Sequence, residues 1–231
     1  MTRRVACVGT DTGVGKTEVV CRLLRQARAR GVSMLPFKPV QSGDDDPGAS
    51  DAERLCAAAG RSREDAEWIA PLRYAAPLAP GIADDPTPFL RPAVLTDGLA
   101  APLARACAAQ RELLARHDPA WLLVELAGGL WVPMPGGSWQ PSWITALADD
   151  VIVIARAGLG TINHCLLTID ALHALGLEPR GVILCECVAP DPSNEHNAAV
   201  ITAARAIPVV GTLHHRRDDD DLLTPLLRAL A

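Results

Sequence analysis

The 231-residue sequence predicts an α/β protein, a single domain spanning residues 1–231 in which a parallel sheet carries helices on both faces. Three observations lead there. Short apolar runs rich in β-branched residues alternate with helix-period segments along the whole chain, which is the pattern of a sheet covered on both sides. Apolar residues make up 49% of the chain, enough to fill the core of one domain of this length. Finally, the first apolar run ends directly in a glycine-rich turn followed by a helical period, the usual place for a ligand at the carboxyl end of a strand.

Taken in order, residues 5–8 read as a buried strand and residues 17–30 as a helix with Val20, Leu23, Leu24 and Ala27 on one face. Gly31 is the stop signal. A strand over 34–37 leads into a polar loop over 41–50. Ser50 then reads as an N-cap, with Glu53 completing a capping box. Residues 69–92 carry six prolines and cannot hold a long helix. A helix over 96–116, a strand over 121–125 and a glycine- and proline-rich loop over 127–137 follow. The remainder reads as strands over 151–155, 181–185 and 209–213, with helices over 162–175, 195–206 and from Asp221 onward. The acidic run 218–221 is expected to be a solvated turn feeding that last helix.

A net charge of −5 and a pI near 5.7 offer no basic footprint for nucleic acid or an anionic membrane. The opening apolar run is too short for a signal peptide, no 18-residue apolar stretch occurs, and a cytoplasmic protein is expected. Seven scattered cysteines argue against a disulfide framework. The close-spaced Cys185-Glu186-Cys187 lacks the second pair a zinc site needs.

The run Gly9-Thr-Asp-Thr-Gly-Val-Gly-Lys-Thr17, set between a strand and a helix, is a variant phosphate-binding loop with its first glycine one residue early. In such a P-loop, backbone N–H groups of Gly13, Val14 and Gly15 and the helix start at Lys16, Thr17 and Glu18 converge on phosphate. The Lys16 ammonium reaches the β- and γ-oxygens, and the Thr17 hydroxyl can ligate Mg²⁺. Lysine is scarce: Lys16 and Lys38 are the only two among 22 basic residues, so arginine fills the ordinary surface positions. A lysine retained in this background marks a place where a compact ammonium is needed. Lys38 closes the second strand, on the ligand side. Asp51, opening a helix, and Glu125, ending the third long strand, are the carboxylates placed to face a metal, together with Thr17. A second P-loop lysine, as in partition-type ATPases, is replaced by Asp11, and no guanine-reading Asn-Lys-x-Asp occurs.

The ordered set of residues 9–17, Lys38-Pro-Val-Gln-Ser-Gly43, Ser50-Asp-Ala52, Pro77-Leu-Ala-Pro80, Glu125-x-Ala-Gly-Gly129 with Val132-Pro133, and Leu159-Gly-Thr-Ile-Asn-His164 resembles the dethiobiotin synthase family over nearly the whole chain. The resemblance implies a P-loop NTPase-like fold and a Mg²⁺- and ATP-dependent ligase. Its substrates would be 7,8-diaminononanoate and CO₂ or bicarbonate, closing a ureido ring through a carbamate and a carbamic-phosphoric anhydride. It implies Lys38 and Lys16 as catalytic cations, Thr17, Asp51 and Glu125 around the metal, and Thr12 and Ser42 on the substrate. It further implies Leu126, Ala127 and Gly128 beside the phosphates, and Cys185, Glu186, His214, His215 and Arg216 around the base. A homodimer is implied, in which Gly160, Thr161 and Asn163 at a helix start bind the distal substrate carboxylate in the other subunit's site.

Two departures stand out. Leu126 replaces the family's first glycine after the glutamate, where a side chain beside phosphate could shift the backbone. Cys185 stands where the family reads adenine with asparagine, and a thiol is a weaker hydrogen-bonding group than an amide. Two other functions share this loop: an amide ligase of the cobyrinate type, for whose usual glutaminase domain the chain has no room, and a nucleotide-binding relative without catalysis.

Overall fold

The computed structural model describes residues 1–43, 50–90, 101–186, 191–215 and 220–231. Its elements are β1 (Arg3–Gly9), α1 (Lys16–Ala29), β2 (Met34–Phe37), β3 (Val40–Ser42), α2 (Asp51–Ala58), α3 (Ala66–Ile69), β4 (Leu72–Tyr74), α4 (Pro80–Asp84), α5 (Thr87–Leu90) and α6 (Ala101–His117). The chain continues with β5 (Trp121–Glu125), β6 (Pro133–Met134), β7 (Ser138–Trp139), α7 (Gln140–Leu147), β8 (Asp150–Arg156), α8 (Thr161–Ala174), β9 (Pro179–Cys185), α9 (Asn194–Arg205), β10 (Val209–Leu213) and α10 (Leu223–Leu230).

Six strands form one parallel sheet in the order β10-β9-β8-β1-β5-β2. Alternation along β1 explains the two covered faces: Val5 and Cys7 enter the core under α1, α2 and α10, whereas Ala6 and Val8 enter the core under α6 to α9. All four are fully buried, as is Trp143 of α7, and each large apolar side chain so placed stabilises the fold by roughly 1.5–3 kcal/mol.

The expected strands and helices over the described residues form with their ends moved by a few residues. Gly31, at φ 68°, stops α1 while the Val32 N–H donates back to the Ala27 carbonyl at 2.9 Å. The capping box of α2 is complete: Glu53 N–H donates to Ser50 Oγ, and Ser50 N–H to the Glu53 carboxylate. Among its described residues, the proline-rich segment holds only short elements, the end of α3, β4, α4 and α5. The polar loop after residue 40 begins with a short strand, β3, paired to β4. The loop 127–137 contains β6, half of a two-stranded ribbon with β7. Helix α7 is absent from the sequence reading, because Pro141 in its first turn and only eight residues leave too short a period to recognise. The sequence-predicted start of the helix at 96, and residues 187, 216, 218 and 219, lie outside the described residues.

Register sets the site. Cys7 of β1 pairs with Glu125 of β5, and Phe37 of β2 pairs with Val124. The glycine-rich loop after β1, Glu125 at the end of β5 and Lys38 just past β2 therefore emerge side by side at the carboxyl edge of three adjacent strands.

Candidate functional site

The phosphate loop ends at Gly15, which caps α1 at φ 96° with no side chain bonded to the helix start, so the first-turn N–H groups are presented as an anion site. A Cβ on Gly9 would stand 2.5 Å from the Gly128 carbonyl oxygen and 2.6 Å from Lys16 Nζ, so that position tolerates only glycine. Lys16 lies over it, donating to the carbonyls of Gly128 at 2.7 Å and Asp11 at 3.0 Å.

Across the cavity, Lys38 Nζ donates to Glu125 Oε1 at 2.7 Å and pairs with Asp51 Oδ2 at 3.0 Å. Thr17 Oγ1 donates to the same Glu125 oxygen at 2.8 Å, with the Asp51 carboxylate beside it. Burial alone would discharge Lys38, but Glu125 and Asp51 outweigh it and hold its pKa above that of ordinary lysine. For Asp51 burial opposes ionisation, and Lys38 with Thr17 overcomes it, keeping the carboxyl below the usual range. Lys16 is the opposite case: desolvation dominates, the Glu125 charge only partly compensates, and its pKa falls to about 8.

These groups line a cavity of about 440 Å³ that includes Thr12, Gly13, Gly15, Lys16, Thr17, Glu18, Lys38, Ser42, Asp51, Arg54, Glu125, Leu126, Ala127 and Gly128. A second cavity of about 410 Å³ adjoins it, sharing Gly15 and Glu18, and is lined by Arg22, Cys185, Glu186, Leu213, His214 and His215. The residues expected at the phosphates and those expected at the base are thus brought to one continuous groove. Val14 is buried beneath the loop, and Arg216 lies outside the described residues.

Two residues stand otherwise than the sequence predicts. Leu126 does not project toward phosphate: its side chain is fully buried in the core under α6 to α9, its N–H bonded to the Cys7 carbonyl. Cys185 packs beneath the phosphate loop, where a Cβ on Gly15 would meet its sulfur at 2.7 Å, so the thiol supports the loop as well as walling the second cavity. Gly160, Thr161 and Asn163 line neither cavity. Gly160 caps α8 at φ 90° without a side-chain bond, as Gly15 caps α1, while the Thr161 side chain is buried near Cys165 and Asn163 is exposed. Arg54 and Val40 line the larger cavity and were not anticipated. For Arg54 the signal was present, since three residues past Asp51 is the same helix face.

Mg²⁺ fits the donor set. Glu125 Oε2 is buried with no hydrogen-bond partner, and it sits with Asp51 and the Thr17 hydroxyl. Two carboxylates and a hydroxyl do not make a cage, and among the described residues no cluster of three His, Cys, Asp or Glu exists. Mg²⁺ ordinarily takes one or two carboxylates and completes its shell with waters and phosphate oxygens.

Fold and site together define a P-loop nucleotide-binding protein. The AAA domain family matches residues 3–220. ATP-dependent dethiobiotin synthetase BioD of Anaeromyxobacter sp. (strain Fw109-5) is 40% identical over 217 residues, covering 94% of this chain and 92% of its own. The protein of the same name from Anaeromyxobacter dehalogenans (strain 2CP-C) is 45% identical over 200 residues, 86% of this chain and 84% of its own. The Caulobacter vibrioides (strain NA1000 / CB15N) protein, also so named, is 37% identical over 213 residues, 86% and 90%. The chain belongs to the ATP-dependent dethiobiotin synthetase family. In fold it is similar to chloroplast FtsY from Physcomitrella patens, with a TM-score of 0.57 at 16% identity; the match covers all of this chain and 65% of that one. Among the described residues no helix is long and apolar enough to cross a membrane.

Proposed function

We propose that the chain carries out the ATP- and Mg²⁺-dependent carboxylation and ring closure of 7,8-diaminononanoate with CO₂, giving dethiobiotin, ADP and phosphate in biotin biosynthesis. The observation that carries the reading is that the only two lysines, 22 positions apart in sequence, line one cavity with Thr17, Asp51 and Glu125. The family membership and the names of the relatives support the reaction class, and neither favours amidation of the cobyrinate type.

The chemistry asks for charge neutralisation. A carbamate formed on one amine of the substrate attacks the γ-phosphorus of ATP, and the second amine closes on the mixed anhydride with loss of phosphate. Phosphoryl transfer of this kind is governed by positioning and electrostatics, not by a protein nucleophile. Lys16 leaves its two carbonyls for the β- and γ-phosphates. Lys38, kept charged by its carboxylate neighbours, neutralises the carbamate and then the anhydride. Ser42 and Thr12, on the cavity wall, hydrogen-bond the diamine end. Thr17, Asp51 and Glu125 would hold Mg²⁺, which would supply positive charge beside the phosphates. The base rests in the adjoining cavity by Cys185, Glu186, His214 and His215. The substrate's distal carboxylate is bound at Gly160, Thr161 and Asn163 of a second copy, in a homodimer. The proposed location is the cytoplasm, where ATP is available.

Incubating the protein with radiolabelled bicarbonate, 7,8-diaminononanoate, ATP and Mg²⁺ tests this directly. Label should appear in an acid-stable cyclic urea, with one ADP formed per label fixed. ATP hydrolysis with no label retained would reject the reading.

A further inference from the structure

Arg54 is the cation of the cavity that the reaction scheme above leaves unused. It projects from α2 on the face that carries Asp51, it lines the larger cavity, and its side chain is 44% exposed. One edge of its guanidinium is tied to another helix: Nη2 donates to Glu18 Oε2 at 2.6 Å, while Nη1 stands 3.7 Å from Asp51 Oδ1. Glu18 follows the Thr17 hydroxyl directly and lies at the junction of the two cavities, with Arg25 on its other oxygen at 3.2 Å. An arginine offers five N–H donors, and the described contacts of Arg54 include one hydrogen bond. Arg54 is also part of the cavity wall.

Charge balance gives this arrangement a purpose. The charged side chains lining the larger cavity are Lys16, Lys38 and Arg54 against Glu18, Asp51 and Glu125, so the site is neutral before any ligand enters. Lys38 is committed to two carboxylates, and Lys16 is a point charge held between two carbonyls. A polyphosphate brings several negative charges with planar pairs of oxygens, which a guanidinium matches better than an ammonium. Glu18 keeps Arg54 extended between α1 and α2.

Resting on the ATP-dependent reading of the site, we propose that Arg54 is a third phosphate-binding cation, held ready by Glu18 and turned onto the nucleotide's terminal phosphates when they arrive. In this role Arg54 touches substrate, and Glu18 is the resting partner that it leaves.

The test measures binding of the β,γ-imido analogue of ATP and of AMP, each with Mg²⁺, by calorimetry on the full chain. Wild-type binding of the analogue establishes the nucleotide site independently; its absence would sink the underlying reading and this one with it, whereas the variants below test this one alone. Arg54→Ala should weaken the analogue about tenfold and AMP less than twofold, as expected for loss of one charge-assisted contact to terminal phosphate. Glu18→Gln removes a negative charge and the competitor for Arg54, so the analogue should bind unchanged or up to about threefold tighter. A merely structural tie between α1 and α2 predicts the opposite pattern: both variants weaken analogue and AMP in parallel and lower Tm alike. That result, or an Arg54→Ala protein with undiminished analogue affinity, overturns the proposal. Should Arg54→Ala fail to fold, the Glu18→Gln result decides alone, since weaker analogue binding there contradicts it.

Discussion

The Lys38 ammonium and the Glu125 carboxylate lie 2.7 Å apart, 87 residues distant in sequence and both almost wholly removed from solvent. Neither would be stable there alone, because an isolated buried charge costs several kcal/mol and a partner repays it only in good geometry. The pair is nonetheless poised to separate. Glu125 Oε2 lacks a partner and Asp51 is a second seat for Lys38, so the ammonium can pass from one carboxylate to an incoming anion without ever being unpaired.

Replacing Lys38 by arginine keeps the charge but places a larger planar fork in a filled site. We expect a folded protein, less stable by about 1–3 kcal/mol from overpacking, that has lost at least ~100-fold in turnover. Denaturant unfolding and steady-state ADP release measure the two quantities. Near-native turnover would remove Lys38 from its assigned role.

Lys16 sets a pH dependence of known sign. Its pKa in the free chain is about 8, lowered by burial, and bound phosphate must raise it. Binding therefore gains from a charged Lys16 in full below pH 8 and loses that gain as pH rises through the free value, by at most about tenfold per unit. Lys38 stays charged over the same range. Calorimetric titration with ADP between pH 7 and 10 should show weakening only above about 8, and Lys16→Arg should flatten the profile even if it binds less tightly. A flat wild-type profile would mean that Lys16 does not meet phosphate.

Base selectivity should be modest. The Cys185 sulfur is spent beneath Gly15, and the Glu186 carboxylate accepts from the His215 N–H at 3.1 Å, so among the described residues no side-chain amide offers a paired donor and acceptor to adenine in this cavity. Large discrimination needs a buried polar edge that a wrong base leaves unpaired. ATP should be preferred over other nucleoside triphosphates by less than roughly 10³-fold, about 4 kcal/mol. Restoring the family residue with Cys185→Asn should weaken phosphate binding before it sharpens selectivity, since the extra atoms press on the loop. Competition among the four triphosphates, for both proteins, tests each half of the statement.

Asn163 is exposed in the first turn of α8, behind an uncapped Gly160. An added carboxylate there would repel a substrate carboxylate, so Asn163→Asp should raise KM for the diamino acid several-fold while leaving nucleotide affinity unchanged. Light scattering should give the mass of a dimer. A fully active monomer would refute a substrate site completed by a second copy.

The elements that emerged where the sequence placed them are those whose signals are local. A 3.6-residue period with Gly31 behind it makes α1, Ser50 and Glu53 cap α2 between themselves, and the phosphate loop is contained in nine residues running from strand to helix. Chemistry written into contiguous residue types, such as Lys16 and Thr17, was legible for the same reason. So was Lys38, through the near absence of lysine elsewhere. Helix α7 was not, being eight residues long with a proline at its start.

What only the tertiary structure decided depends on strand order and register, which no local pattern encodes. Placing β5 between β1 and β2 brings Glu125 to Lys38 and Thr17. Placing β8 and β9 on the other side carries Cys185 under Gly15 across 170 positions of chain. The same packing turned Leu126 into the core, because side chains along an extended strand alternate faces and Leu126 falls on the face of Leu122 and Val124, under α6 to α9. It also set Arg54 against Glu18, a pairing of two ordinary surface charges in sequence that becomes part of a ligand cavity only where α1 and α2 meet. The residue types were determined locally; which of them share a site was determined by the long-range parallel pairings of the sheet.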